Sequence, residues 1–293
     1  MHKYLRAIGF SNISKEEFQY ICTEIVNDPI DQKTAKDSEG NEFVEISGEF
    51  GDFFGITLRG VYRDEDTLEV EYTYPYFYGK TISTTEHVDV EKHAEKESYA
   101  GICDEVRIGV TLIFYLQNVV EYLQIKNNHA YHRTANGVIL SALSTEGKIL
   151  FPVDKSEQKS RNLKRQEEPD RIRLLTAARD GDEDAIENLT LEDIDTYSLL
   201  SRRVLHEDVL TIVNTYFMPY GIESDQYSIL GEIMDYRLLR NDYTEERVYH
   251  LDLMCNDLNF SLCINEKDLL GEPKVGRRFK GIIWMQGSIN YQN

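Results

Sequence analysis

The chain has 293 residues, 41% of them hydrophobic and 11% aromatic, with six prolines and a formal net charge of −20. That length is long for one core and short for three, so two domains are expected, and the composition excludes a largely disordered chain. The negative charge repels phosphate backbones, which argues against general nucleic-acid binding, and it favours a soluble monomer or small homo-oligomer.

Met1 to Phe10 reads as an opening strand and lacks the basic, apolar and small-residue succession of a secretory signal. A helix then begins at Ser14, because Ser14 and Glu17 form a capping box and Phe18, Ile21, Cys22 and Ile25 recur at helical spacing; it stops before Pro29. The polar segment from Asp31 to Asn41 reads as a loop. From Glu42 the period changes to two, and the Gly51-Asp52 turn makes a hairpin of Val44 to Phe50 and Phe54 to Leu58. A third strand puts Leu68, Val70, Tyr72, Tyr74 and Tyr76 on one face, and Thr81 to Val90 is rich enough in β-branched residues to add another.

A loop with Gly101 and Cys103 leads to a second helix, in which Leu112, Leu116, Val119, Val120 and Leu123 form a stripe that packs on the tyrosine-faced sheet. The apolar run at Val110 to Val120 is interrupted by Gln117 and Asn118, well short of the roughly 20 residues that cross a bilayer, so no membrane span is expected. Val138 to Leu143 and Lys148 to Val153 flank Glu146-Gly147 and read as a hairpin that closes an N-terminal domain, residues 1–153.

Charged residues dominate from Asp154 to Arg171, which marks a linker. Its basic residues Lys155, Lys159, Arg161, Lys164, Arg165, Arg171 and Arg173 alternate with acids and read as a solvated tether. Helical pieces follow around Leu174, Leu175 and Ala178 and from Thr190, completing a connector over residues 154–204. The AARDGDEDAI run resembles one turn of a helical repeat, with no second copy.

Residues 205–293 return to strands. Leu210 to Asn214 runs toward the Pro219-Tyr220-Gly221 turn, and Tyr227 to Arg240 is a long strand bent near Gly231. With Asn256-Asp257 as a two-residue turn, Cys255 faces Leu258, Leu253 faces Phe260 and Leu251 faces Leu262. The last strand alternates Phe279, Gly281, Ile283, Met285 and Ile289 with Arg278, Lys280, Ile282, Trp284 and Gln286. The expected fold class is therefore α+β: an N-terminal antiparallel sheet packed with helices, a short helical connector, and a small C-terminal antiparallel barrel of the OB type or a sandwich.

Three runs, MHKYLRAIGFS, TYFMPYGIESDQYSILGEI and INEKDLLGEPKVGRRFKGIIWMQG, resemble the bacterial domain of unknown function family 3881 along the whole chain. The resemblance implies no reaction, ligand or catalytic residue.

Four groups of residues carry chemical interest. Arg278, Lys280, Trp284 and Gln286 form a basic aromatic face of the kind single-stranded nucleic acid or an anionic partner can use, although Trp284 is more commonly a plug of the barrel or of the domain interface and the region from Leu205 is net acidic. The hairpin register sets Cys263 beside His250 with Asp252 along the same face, the inventory of an activated thiol without an oxyanion motif. His129 and His132, or His87 and His93, lack zinc-site spacing, so no metal or cofactor is expected. Tyr72, Tyr74, Tyr76 and Tyr78 line either a ligand groove or, more commonly, a sheet core.

Cys22, Cys103, Cys255 and Cys263 form no CxxC pair and read as reduced thiols of a cytoplasmic protein. The leading expectation is a non-enzymatic binding protein with its C-terminal barrel as docking module and a protein partner. The alternatives are an enzyme with its site in an interdomain cleft, and a weak single-stranded nucleic-acid binder through the Trp284 face.

Overall fold

The computed structural model describes residues 1–36, 40, 42–64, 67–92, 98–127, 134–153, 173–174, 177–178, 182–188, 210 and 213–292. The chain opens with a 3-10 stretch, Lys3–Ile8, where a strand was expected. Gly9 ends it at φ +95°, and a Cβ there would stand 2.8 Å from Asn241, so both conformation and space require glycine. Helix α1, Lys15–Asn27, has the expected capping box between Ser14 and Glu17 and buries Ile21 and Ile25.

Strands β1 (Asp31–Lys36), β2 (Glu42–Gly51), β3 (Phe54–Asp64) and β4 (Thr67–Phe77) form an antiparallel sheet in sequence order. The expected loop after Asp31 is thus an edge strand, whose polar sequence suits a half-solvated position. The turn after Gly51 sets Glu45 opposite Arg59, and β4 follows with Tyr74 opposite Thr57.

Strands β5 (Val88–Lys92), β6 (Tyr99–Glu105) and β7 (Val110–Leu116) come next, then helix α2 (Val119–Asn127). This corrects the expected helix over Leu112 to Leu123 and the loop around Cys103. Leu112, Phe114 and Leu116 are fully buried on one face and Tyr115 on the other, and a strand covered on both sides has the same unbroken apolar run as a buried helix. Residues 117–118 separate the two elements: the Asn118 side chain bonds Glu121 and both backbone groups of Ile289.

Strands β8 (Thr134–Ser144) and β9 (Gly147–Leu150) do not form the expected hairpin. Both lie along β15 (Arg278–Gln292), β8 from Thr134↔Gln292 to Ala142↔Met285 and β9 from Gly147↔Gly281 to Leu150↔Arg278. Glu146-Gly147 is a jog in one continuous line, secured by the Ser144 hydroxyl between the carbonyls of Glu146 and Ile282.

The later strands are β10 (Tyr216–Pro219), β11 (Gln226–Arg240), β12 (Arg247–Cys255), β13 (Leu258–Asn265) and β14 (Leu269–Leu270). The β12–β13 register is the one read from the sequence, with Asn256 and Asp257 both left-handed in the turn. Strand β11 runs on past Gly231 and changes neighbour there, pairing β15 up to Glu232 and β12 from Glu232 onward.

The pairings close a ring, β11–β12–β13–β8–β15–β11. Leu140, Ala142, Leu251, Leu262, Ile283 and Met285 belong to the larger core. The α+β expectation, with a separate C-terminal barrel or sandwich, is corrected accordingly: the protein is predominantly β, and its described residues form the four-stranded sheet and an eleven-stranded mixed sheet. Strand β8 lies between β13 and β15, parallel to β13, a long-range insertion that no local pattern encodes.

Tyr4, Leu5, Ile8, Ile46, Leu58 and Trp284 share a second core with Leu143 and Cys263, so the N-terminal stretch and the four-stranded sheet cover the outside of the ring. Side chains close the C-terminal end of the β4 edge. Gln286 accepts from Phe77 N (3.1 Å) and donates to Pro75 O (2.8 Å), while Gln117 donates to Phe77 O (2.9 Å) and to the Gln286 carbonyl (2.9 Å). Residues 183–188 are helical; the tether and the helix expected from Thr190 lie outside the described residues.

Candidate interaction surface

The alternation expected for β15 holds, yet both of its faces are covered. Trp284 is 4% exposed, donates to Asp225 (2.7 Å), and stacks on Tyr4 with centroids 5.3 Å apart, with His2 at 4.6 Å. Gln286 is buried at the β4 edge. Arg278 is buried as well, donating to the carbonyls of Phe151, Val213 and Leu210. Lys280 is half-buried. Trp284, Gln286 and Arg278 stack and bond within the protein, and Tyr4 and His2 take the place on the indole that a base would occupy.

Of the second group, the fold brings together His250 and Asp252 but not the thiol. His250 Nε2 lies 3.0 Å from Asp252 Oδ1, which also accepts from the Ser261 hydroxyl at 2.7 Å. Cys263, directly opposite His250 in the register, donates to Ala7 O instead. Burial pushes that thiol far up, away from thiolate character. Burial raises the Asp252 carboxyl, but the bonds from His250 and Ser261 outweigh it and hold the group below the ordinary carboxylate range. His250 Nδ1 has no hydrogen-bond partner among the described residues, and the imidazole packs edge-on with Phe77 (centroids 4.9 Å apart) and Phe53 (6.1 Å).

The tyrosine row centres on Arg59, which the sequence reading passed over. This fully buried guanidinium donates to Glu45 (2.7 Å), Tyr115 OH (2.7 Å), Tyr74 OH (3.0 Å) and the carbonyls of Leu116 and Gln117. Burial pushes the Glu45 carboxyl up, against the pull of the Arg59 charge. The hairpin register, which sets Glu45 opposite Arg59, is the signal that could have found the pair. Tyr74 and Tyr76 are sheet core, and Tyr78 is exposed at the end of the row.

His87 is exposed beside Asp89, while His93, His129 and His132 lie outside the described residues. Among the described residues no cluster of histidine, cysteine and carboxylate side chains could hold a metal ion, and no helix is long and apolar enough to cross a membrane. A surface cleft of about 590 Å³ lies between β5 and α2, lined by Val88, Val90, Ile102, Ile125, Ile289 and Tyr291. His87, Asp89, Glu91 and Lys126 join these apolar groups in the lining, and burial pushes the Tyr291 phenol up.

The second half of β11 is a sheet edge. Beyond Ile233, whose N–H and C=O pair with Arg277 and Gly276, the strand pairs only with β12 among the described residues. Met234 (42% exposed), Tyr236 (38%) and Leu238 (44%) alternate with Asp235 and Arg237, whose side chains are both 55% exposed. Tyr236 and Leu238 share a face with Leu251 and Tyr249; Asp235 and Arg237 share the other with Asp252 and His250. An irregularity between Ile233 and Asp235 makes Met234 the extra residue of a bulge. Long apolar edges are normally covered or blunted, as Gln117 and Gln286 do for the Pro75–Phe77 end of β4.

A family model described as a domain of unknown function, E. rectale gene description (DUF3881), matches residues 5–287. The chain belongs to this family. The DUF3881 match takes in both sheets, from the N-terminal 3-10 stretch to Gly287 of β15, in agreement with the resemblance read from the sequence. No curated protein and no solved structure matches the chain.

Proposed function

We propose that the protein is a cytoplasmic interaction module that docks a protein partner by strand addition at the free edge of β11. The observation that carries this reading is the edge itself: over residues 234–239 β11 pairs only with β12 among the described residues, with Met234, Tyr236 and Leu238 exposed along it. Strand addition draws affinity from main-chain hydrogen bonds and specificity from alternate side chains, and this edge supplies both. Trp284, Gln286, Arg278, Cys263, Tyr74 and Tyr76 are buried and engaged in packing, which favours binding over catalysis for this chain. Photo-cross-linking in cells tests it, with a benzophenone side chain at position 236 and a control at Ile102 in the β5 cleft. Protein adducts from 236 and none from 102 are expected; adducts from 102 alone would move the site to the cleft and overturn the reading.

A further inference from the structure

We infer that the strand added at the β11 edge is the same edge of a second copy of this chain, forming a two-fold antiparallel dimer. The inference rests on the strand-addition reading above and names its partner. Two identical antiparallel strands related by a two-fold axis must pair some residue with its own counterpart, and that residue fixes every other pair.

With Tyr236 on the axis, Asp235 falls opposite the partner's Arg237 and Arg237 opposite the partner's Asp235. Met234 falls opposite the partner's Leu238 and Leu238 opposite the partner's Met234. Directly opposed residues share a face, so one face gains two ion pairs and the other a Tyr–Tyr contact, and the Met234–Leu238 pairs close the segment at its bulged ends. The two nearest symmetric registers centre Asp235 or Arg237 on its own copy and so oppose like charges. One register of the three is complementary in both charge and hydropathy.

The surroundings of Asp235 add a second, independent reason. Within the chain Asp235 lies directly opposite Asp252, and like charges so placed repel. Its contact with Arg237 along its own strand is loose, at 3.9 Å between half-exposed groups. A guanidinium from a facing strand would relieve the repulsion, and in the Tyr236-centred register one arrives there. Gly276 and Arg277 pair with Ile233 and end just before this segment, while at the far end the Arg240 carbonyl lies against Gly51 and Asp242 N–H donates to Phe50 O, so that among the described residues no strand pairs this edge between Met234 and Leu239.

Sedimentation velocity on the full chain tests the inference, across a concentration series. Wild type should form dimers. D235R and R237D should each sediment as monomers, because each sets like charges opposite one another on both sides of the axis. Mixed in equal amounts, the two should sediment as a heterodimer, since the all-basic edge then faces the all-acidic one, and the double swap D235R/R237D should dimerise alone. Both positions are exposed, and recovery on mixing shows that the single variants are folded. A wild type monomeric throughout, single variants that still dimerise, or a mixture that stays monomeric would each overturn it. Cross-links from position 236 to a different protein, with a monomeric wild type, would overturn self-pairing and leave strand addition standing.

Discussion

Asp235 and Arg237, two residues apart on the open edge of β11, approach within 3.9 Å with both side chains 55% exposed. An exposed pair of that kind contributes about 0–1 kcal/mol to folding. R237A should therefore leave the unfolding free energy within about 0.5 kcal/mol of wild type, measured by urea unfolding at a concentration low enough to exclude association, while dimerisation is lost. A large loss of monomer stability would mean that Arg237 serves the fold.

Gln286 should behave in the opposite way. Replacing it by leucine removes the partners of Phe77 N–H, Pro75 C=O and one Gln117 N–H inside a closed junction. Each buried orphan costs about 1–3 kcal/mol, so Q286L should lower stability by about 3 kcal/mol or more in urea unfolding, with dimerisation of the folded fraction retained.

The Arg59–Glu45 pair gives a double-mutant test. R59M strands a buried carboxylate and should cost about 3–5 kcal/mol. Because the loss comes mainly from the unpaired charge, R59M/E45M should recover part of it. Additive losses in urea unfolding would show that Arg59 acts through its bonds to Tyr74, Tyr115 and the β7 end instead.

Acid sensitivity follows from two carboxylates. Burial raises Glu246, but hydrogen bonds from Lys267, Ser11 and Asn265 outweigh it and hold the folded group below its ordinary value; Asp252 is held low by His250 and Ser261. A depressed folded pKa contributes stability that is present above the unfolded value, about 4, and lost as pH falls through the folded pKa. Urea midpoints should decline below about pH 4, and E246Q should flatten the decline. Since Glu246 ties Ser11 to Asn265 and Lys267, the N-terminal segment should loosen first, read as faster amide exchange around residues 8–11.

Local grammar was legible in the sequence where the partner is a chain neighbour. The Ser14 capping box, the Asn256-Asp257 hairpin and the alternation of β15 all follow from spacing within about a dozen residues. What the sequence concealed is long-range: β8 is inserted between β13 and β15, and the four-stranded sheet covers the outside of the ring, so Trp284 and Gln286 are buried although they alternate with core residues. The same concealment turned β7 into an expected helix, because burial on both faces erases the period that separates strand from helix. Tyr227 to Arg240 was readable as a strand, but which of its edges stays open depends on where β15 leaves it, after Glu232.

Amide hydrogen exchange followed against protein concentration bears most directly on the central claim. Slowed exchange should appear with rising concentration at residues 234–239 of β11, and D235R should abolish it. Concentration-dependent protection at β5 or elsewhere, with β11 unchanged, would contradict docking at this edge.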